Sequence, residues 1–158
     1  GTWDSYDINF WNSLDWELVN VTFNKAVAFA TPGINATMKN CVITDPDERG
    51  NYALWIAAGA NVTLDGCAIS GNRAVKVADQ YVTNPTATIL NCNNCKFTSS
   101  KKAAVYSSTV GGGKFTFTGT NDITGVQADT ENHVWIDPGY ESTKDKITVV
   151  GAKVVVKG

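Results

Sequence analysis

Four cysteines are the residues of this sequence best suited to bind a metal. Cys92 and Cys95 form one C-x-x-C pair, whereas Cys41 and Cys67 stand alone. A structural zinc site needs four ligands, so a second pair or suitably spaced histidines would have to complete it. The only histidine, His133, lies far along the chain. The spacing therefore predicts no metal site, and nothing else in the sequence indicates a cofactor.

The densest group of carboxylates is the short acidic loop Asp45-Pro46-Asp47-Glu48-Arg49. Calcium binds several oxygen ligands at about 2.3–2.6 Å, and a protruding loop is able to supply them. Asp45, Asp47 and Glu48 are therefore weak candidate calcium ligands. The competing interpretation, which we favour, is an acidic turn that is simply solvated.

Residues that would support catalysis are sparse. Glycoside hydrolysis needs two carboxylates placed on either side of the bond, and the sequence contains no adjacent pair of aspartates. A nucleophilic triad would need a serine or cysteine partner for His133, and none is evident. We therefore predict that the chain is not an enzyme, and we assign no catalytic residue.

The elements that position these residues repeat along the chain. Apolar residues alternate with period two in short segments bounded by Gly, Asn, Asp and Pro, a pattern typical of strands and turns. Similar segments return about every 26 residues, and they close on Phe23, Ile43, Ile69, Phe97 and Ile123. A second strand-like stretch follows each, beginning at Ala26, Ala53, Ala74, Ala103 and His133. A short helix would fit only within residues 3–16.

Alignment of the repeats predicts which side chains stack on one another. It gives two inward columns, one of Met38, Leu64 and Ile89 and one of Cys41, Cys67 and Cys92. The cysteines would then act as small buried hydrophobes. Strands about 4.8 Å apart would also allow one pair to form a disulfide. An all-β sandwich is the competing architecture, but it would not place matching residues in register.

The stretch from Asn61 to Asn72, Asn-Val-Thr-Leu-Asp-Gly-Cys-Ala-Ile-Ser-Gly-Asn, resembles the repeats of right-handed parallel β-helix proteins. These proteins form the pectin-lyase-like superfamily, and the resemblance covers residues 16–150. It implies an all-β solenoid of about five coils over residues 16–158, with residues 1–15 as an aromatic N-terminal cap. The superfamily includes polysaccharide lyases and hydrolases, phage tailspikes, and non-catalytic bacterial surface and virion proteins. Its catalytic residues find no counterparts here.

The second strand of each repeat offers the best candidate for a binding surface. If Leu54 and Ile56 point inward, Trp55 points outward. The equivalent outward positions are then Ala28, Lys76, Val105 and Trp135. Flat aromatic rings stack on sugars or anchor protein interfaces, so we predict that Trp55, Lys76 and Trp135 bind a ligand or partner. The alternative is that a loop covers the tryptophans or that the inward phase is reversed.

The two ends of such a stack are unpaired strand edges, which need covering. At the N-terminal end we predict docking residues that would contact the stack itself, a sister chain or a host scaffold; they are Trp3, Tyr6, Phe10 and Trp11. At the other end, the apolar runs 147–150 and 153–156 would add a final strand pair.

Composition excludes several classes of protein. The chain has 158 residues, 43% of them hydrophobic, and a net charge of −2, which argues against disorder. The largest cluster of basic residues is the pair Lys101-Lys102, so a nucleic-acid partner is not expected. No apolar run approaches the roughly 20 residues of a membrane span. Because the chain starts at Gly1, we expect a processed protein or an excised piece.

Together these features predict a non-catalytic structural or adhesion module, located outside the cell. It would belong to a virion, as a phage decoration or fibre protein, or to a bacterial cell surface. A flat face would contact a glycan or a neighbouring subunit, and we expect a homo-oligomer. One alternative is a truncated polysaccharide-active enzyme similar to pectate lyases. Another is a pure assembly module whose tryptophan face is a subunit contact.

Overall fold

The computed structural model describes residues 1–3, 7–45, 52–78, 88–101, 104–108, 113–125, 134–136, 147–149 and 153–157. All regular structure in these ranges is β-strand. The helix that residues 3–16 would accommodate is absent from their described part, where Ile8–Phe10 and Asp15–Val19 are strands. Within the described ranges there is also no helix long and apolar enough to cross a bilayer.

The strands form three sheets, and each sheet takes every third strand along the chain. Sheet A contains β1 (Thr2–Trp3), β4 (Thr22–Phe23), β7 (Val42–Asp45), β10 (Ala68–Gly71), β13 (Lys96–Ser99), β16 (Thr120–Thr124) and β19 (Lys153–Lys157). Sheet B contains β2 (Ile8–Phe10), β5 (Val27–Phe29), β8 (Leu54–Ala57), β11 (Val75–Ala78), β14 (Val105–Ser108) and β17 (Val134–Ile136). Sheet C contains β3 (Asp15–Val19), β6 (Asn35–Lys39), β9 (Asn61–Asp65), β12 (Thr88–Asn93), β15 (Gly113–Thr118) and β18 (Ile147–Val149).

Every strand pairing among the described residues is parallel. Parallel neighbours cannot be joined by a tight hairpin, so the chain has to travel away from each strand before it returns beside it. Here it does so by passing through the other two sheets. We call each succession of one strand from each sheet a repeat, so that β1, β2 and β3 form the first repeat.

The residues predicted to close the repeats lie in register on the inner face of sheet A. Phe23 pairs with Ile43, Ile43 with Ile69, Ile69 with Phe97, and Phe97 with Ile123. All five side chains are at most 3% exposed and belong to one core that all three sheets share. The predicted register of this sheet is therefore confirmed.

In sheet C the predicted register is wrong by three residues at β12. Cys92 pairs with Leu64, the position that the alignment gave to Ile89. Thr88, Leu90 and Cys92 are buried, whereas Ile89 is only half-buried. A shift by an odd number of residues exchanges the two faces of a strand. The physical reason is that the extra residues of this repeat come before β12. The distance along the chain from β12 to β13 is therefore the same as that from β9 to β10.

The first repeat includes the aromatic N-terminal segment. Strands β1 and β2 pair with β4 and β5 and extend sheets A and B by one strand each. Phe10 is buried, its ring stacked on Phe29 with centroids 4.7 Å apart and in edge contact with Trp16, also at 4.7 Å. Of the predicted docking residues, Phe10 therefore docks within the chain itself.

A sharp corner leads from sheet C to sheet A in each of five repeats. The corner residues have positive φ, between 51° and 71°, and they are Asn20, Asn40, Gly66, Asn94 and Gly119. Asparagine and glycine adopt this left-handed conformation most readily. The amide of Asn94 also joins neighbouring repeats, because its Oδ1 accepts a hydrogen bond from the backbone N–H of Thr120 at 2.8 Å. The corners thus fix where each strand of sheet A begins.

The register of β12 can be tested with two matched truncations. Leu90→Ala removes a fully buried side chain and leaves a cavity, so we expect the free energy of unfolding to fall by about 2–5 kcal/mol. Ile89→Ala removes a side chain of the opposite face and should lower it by no more than about 1 kcal/mol. Urea unfolding of both variants measures the difference. A larger loss for Ile89→Ala would contradict the register described here.

Candidate functional site

One column on the outer face of sheet B contains the residues predicted to bind a ligand. Trp55 pairs with Lys76, Lys76 with Tyr106, and Tyr106 with Trp135. The neighbours of Trp55 in β8, Leu54 and Ile56, are fully buried, so the alternation of the strand places Trp55 on the outer side. The three predicted residues thus share one column. The side chain of Trp135 lies outside the described part of the structure.

The outward residue of β14 is Tyr106 and not Val105, which corrects the predicted alignment by one residue. Val105 pairs with Val75, is fully buried and lies in the core. A one-residue slip turns every side chain of a strand to the other face. The correction replaces an aliphatic residue of the outer column with an aromatic one.

Tyr106 belongs to a compact group that we name the aromatic–cation cluster, formed by Tyr52, Arg73, Lys76 and Tyr106. The two tyrosine rings are nearly parallel, with an interplanar angle of 4° and centroids 5.6 Å apart. The Nζ atom of Lys76 lies 5.9 Å from each ring centroid, and Cζ of Arg73 lies 5.4 Å from that of Tyr52. All four side chains are half-buried. Two aromatic rings and two cations therefore meet beside the outer column of sheet B.

The electrostatics of the cluster help to hold its geometry. A cation within about 6 Å of a ring centroid is attracted by the negative face of the ring, and at accessible sites each such contact contributes roughly 0.5–1 kcal/mol. Lys76 lies within this distance of both rings, so its attraction favours the observed spacing of Tyr52 and Tyr106. Chemically, the cluster can stack on a flat ligand and donate hydrogen bonds to its oxygen atoms.

The side chain of Trp55 packs against the outer face of sheet B and does not project away from it. Its side chain is half-buried, and it packs against a small apolar group formed by Ala30, Ala57 and Ala58. Its indole nitrogen is inaccessible to solvent. The sequence predicted a solvent-facing ring at this position, whereas the ring lies against the outer surface of the sheet.

Sequence reasoning missed three members of the cluster: Tyr52, Arg73 and Tyr106. A correct match of Ala104-Val105 with Ala74-Val75 would have identified Tyr106 as the partner of Lys76. Tyr52 and Arg73 precede the strands β8 and β11 and do not belong to them. Because strand periodicity does not apply to such positions, no pattern in the sequence indicates that their side chains meet.

Three of the four cysteines form a column at the start of the sheet A strands, and they are not the three that the sequence predicted. Cys41, Cys67 and Cys95 each follow a left-handed corner residue, and the thiol of each donates a hydrogen bond to a carbonyl of the preceding repeat. Cys92 instead lies within sheet C beside Leu64, so the predicted column of Cys41, Cys67 and Cys92 is wrong in its last member. All four cysteines are buried free thiols.

The environment of these thiols disfavours the reactive thiolate. A hydrogen bond with Cys95, together with burial, raises the pKa of Cys67. Burial likewise raises the pKa of Cys41 and, well above its ordinary value, that of Cys92. Since the thiolate is the nucleophile and the metal ligand, these three cysteines are placed to pack and not to react.

Of the predicted calcium ligands, only Asp45 falls in the described part of the structure. It is the last residue of β7 and is 2% exposed, so it does not lie on the solvated turn that the sequence suggested. Asp47 and Glu48 lie outside the described residues. Among the residues that are described, there is no group of three or more His, Cys, Asp or Glu side chains arranged to hold a metal ion.

The remaining predicted docking residues belong to the first repeat. Trp3 is 42% exposed and Trp11 is 61% exposed. Tyr6 lies outside the described residues. A docking role for these residues stays a prediction.

Comparison of the chain with protein-family models, with curated proteins and with solved structures finds no match.

The raised thiol pKa values predict a fall in stability at alkaline pH. A group whose pKa is higher in the folded chain than in the unfolded chain stabilises the fold at pH values below its unfolded pKa. This stabilisation is lost progressively as the pH rises from the unfolded pKa towards the folded pKa. Above about pH 9, Cys67→Ala should therefore lower the steepness of that fall by about 1.4 kcal/mol per pH unit.

Urea unfolding of the two proteins at a series of alkaline pH values measures the slopes. The lysines and tyrosines are common to both proteins, so their ionisation cancels in the difference. Equal slopes would contradict the assignment of Cys67 as a buried neutral thiol.

Proposed function

We propose that this chain is a small right-handed parallel β-helix, similar to the non-catalytic members of the pectin-lyase-like superfamily. Its role would be that of a rigid module of a virion or a bacterial cell surface, outside the cell. The succession of sheets A, B and C, the parallel pairing of the described strands and the main core that all three sheets share support this proposal. A backbone whose polar groups are paired in long ladders suits a protein that must keep its shape in an exposed setting.

We infer further that the aromatic–cation cluster binds carbohydrate. The observation that carries this inference is the pair of parallel tyrosine rings, Tyr52 and Tyr106, held beside Lys76. Sugar rings present flat C–H faces, which stack on aromatic rings. Arg73 and Lys76 have only donors and would bind sugar hydroxyl or acidic oxygens. Because the rings are already ordered, little side-chain entropy is lost on binding.

A neighbouring subunit is the competing occupant of this face. The same side-chain types are enriched at the centres of protein interfaces, where tyrosine and arginine contribute most of the binding energy.

A polysaccharide-active enzyme also stays a prediction. Incubation with any bound polysaccharide, followed by measurement of its chain length, separates binding from catalysis: shortened chains would indicate an enzyme.

The test of the binding proposal is a glycan array, followed by titration of the best ligand. Replacement of both rings in Tyr52→Ala/Tyr106→Ala should weaken binding at least about tenfold, because it removes both aromatic surfaces on which the sugar would stack. Tyr52→Phe/Tyr106→Phe keeps the rings and should bind with nearly the affinity of the unchanged chain.

The matched control is Trp11→Ala, which removes an exposed aromatic ring of the first repeat and should leave glycan binding unchanged. The absence of any glycan hit for the unchanged chain would overturn the proposal. If Tyr52→Ala/Tyr106→Ala instead abolishes self-association without affecting glycans, the cluster is a subunit contact.

A further inference from the structure

The thiols of Cys67 and Cys95 lie against one another in neighbouring repeats. The two cysteines directly precede Ala68 and Lys96, which pair in sheet A, and the N–H of Lys96 donates a hydrogen bond to the carbonyl of Cys67 at 2.9 Å. Both cysteine side chains are buried, and their thiols are in hydrogen-bond contact. The fold therefore brings two sulfur atoms together that are far apart in the sequence.

Strand pairing sets the distance that a covalent bond between these cysteines has to span. Neighbouring parallel strands lie about 4.8 Å apart, which is within the roughly 4.4–6.8 Å between Cα atoms that a disulfide bridges. The backbone of Cys95 is also held from the next repeat, because its N–H donates a hydrogen bond to Oδ1 of Asn121 at 2.9 Å. A bond between the two sulfurs can therefore form without a change of register.

Cys67 is the central thiol of the four, and its three neighbours are not equivalent. Cys41 lies in the same column, one repeat earlier, and its interaction with Cys67 is one of charge. The interaction of Cys92 with Cys67 is likewise one of charge. The hydrogen bond between the thiols of Cys67 and Cys95 distinguishes this pair from the other two.

We propose that Cys67 and Cys95 are a modification site, joined by a disulfide when the chain folds in an oxidising compartment, while Cys41 and Cys92 stay reduced. The oxidant would be a low-molecular-weight disulfide such as oxidised glutathione. The thiolate of one cysteine attacks this disulfide, forms a mixed disulfide and releases one thiol. The second cysteine loses its proton, attacks the sulfur of the first and releases the other thiol. The chain thus gives up two electrons and two protons, and one external disulfide becomes two thiols.

Burial decides when this bond can form. All four cysteines are at most 2% exposed in the folded chain, so the oxidant reaches them while the strands are still assembling. The same burial would then protect the finished bond from reductants. A bond between repeats restricts the unfolded chain and so stabilises the fold. Disulfides persist outside the cell, the setting of the proposed function, but formation of this one does not require glycan binding.

Thiol counting after oxidative refolding tests the proposal. The reduced chain is unfolded in urea, refolded in a mixture of reduced and oxidised glutathione, and unfolded again with iodoacetamide to label every free thiol. Mass spectrometry should find two labelled thiols after this treatment and all four after refolding with dithiothreitol. Four labelled thiols after both treatments would overturn the proposal.

Tryptic mapping of the unchanged chain identifies the joined pair. Cleavage after lysine and arginine places Cys41 in residues 40–49, Cys67 in 50–73 and both other cysteines in 77–96. We expect 50–73 to be linked to 77–96, with fragmentation placing the bond at Cys95 and the label on Cys92. A link between 40–49 and 50–73, or a bond at Cys92, would contradict the assignment.

Two complementary variants provide the matched control. Cys41→Ala/Cys92→Ala keeps the proposed pair and should carry no label after oxidative refolding. Cys67→Ala/Cys95→Ala keeps the other two cysteines and should be labelled at both. Circular dichroism verifies that each variant retains its strands, and the map of the unchanged chain decides the question for a variant that does not fold. Labelling at both sites of the first variant, or at neither site of the second, would overturn the proposal.

Urea unfolding measures the effect of the bond on stability. The unchanged chain should unfold at a higher urea concentration after oxidative refolding than after refolding with dithiothreitol. Cys67→Ala/Cys95→Ala should unfold at the same urea concentration after both treatments, and a rise as large as that of the unchanged chain would contradict the assignment. Thiol counting needs no ligand, so its failure and a failure of glycan binding are separate results.

Discussion

The structure depends on one constraint, the parallel pairing of each strand with its counterpart one repeat away. Parallel hydrogen bonding places equivalent residues directly above one another, and the two-residue period of a strand then decides which side chains enter the core. Phe23, Ile43, Ile69, Phe97 and Ile123 obey both conditions and form one continuous column. A slip of one residue in any strand would expose its apolar side chains, so the core and the register stabilise each other.

The same constraint generates the surface that we propose to be functional. Trp55, Lys76 and Tyr106 come from three different repeats, yet pairing in sheet B places them in one column. Tyr52 then reaches Tyr106 across the intervening strand, with Lys76 in contact with both rings. Strands β11 and β14, which carry Lys76 and Tyr106, are each paired on both sides, so the backbone at these two residues is held in place before any ligand arrives, which lowers the entropy cost of binding.

The sequence predicts the repeat and sheet A well, because Phe23 and its counterparts keep their pattern through five repeats. It misplaces β12 and Val105, because extra residues in a connection shift the alignment without breaking the alternation of the strand that follows. The cysteine column is misread for the same reason, with Cys92 taken for Cys95. The aromatic–cation cluster was only partly predictable, since Tyr52 and Arg73 lie before their strands and meet through the conformation of the connections, which has no fixed period.

The most direct test of this account is the set of nuclear Overhauser contacts between backbone protons of β8, β11 and β14 in solution. Parallel strands about 4.8 Å apart bring amide and Cα protons of paired residues within reach of one another. The account predicts contacts that pair Lys76 with Trp55 on one side and with Tyr106 on the other. Contacts that pair Lys76 with Val105, or an antiparallel pattern between these strands, would contradict the register on which both the core and the proposed binding face rest.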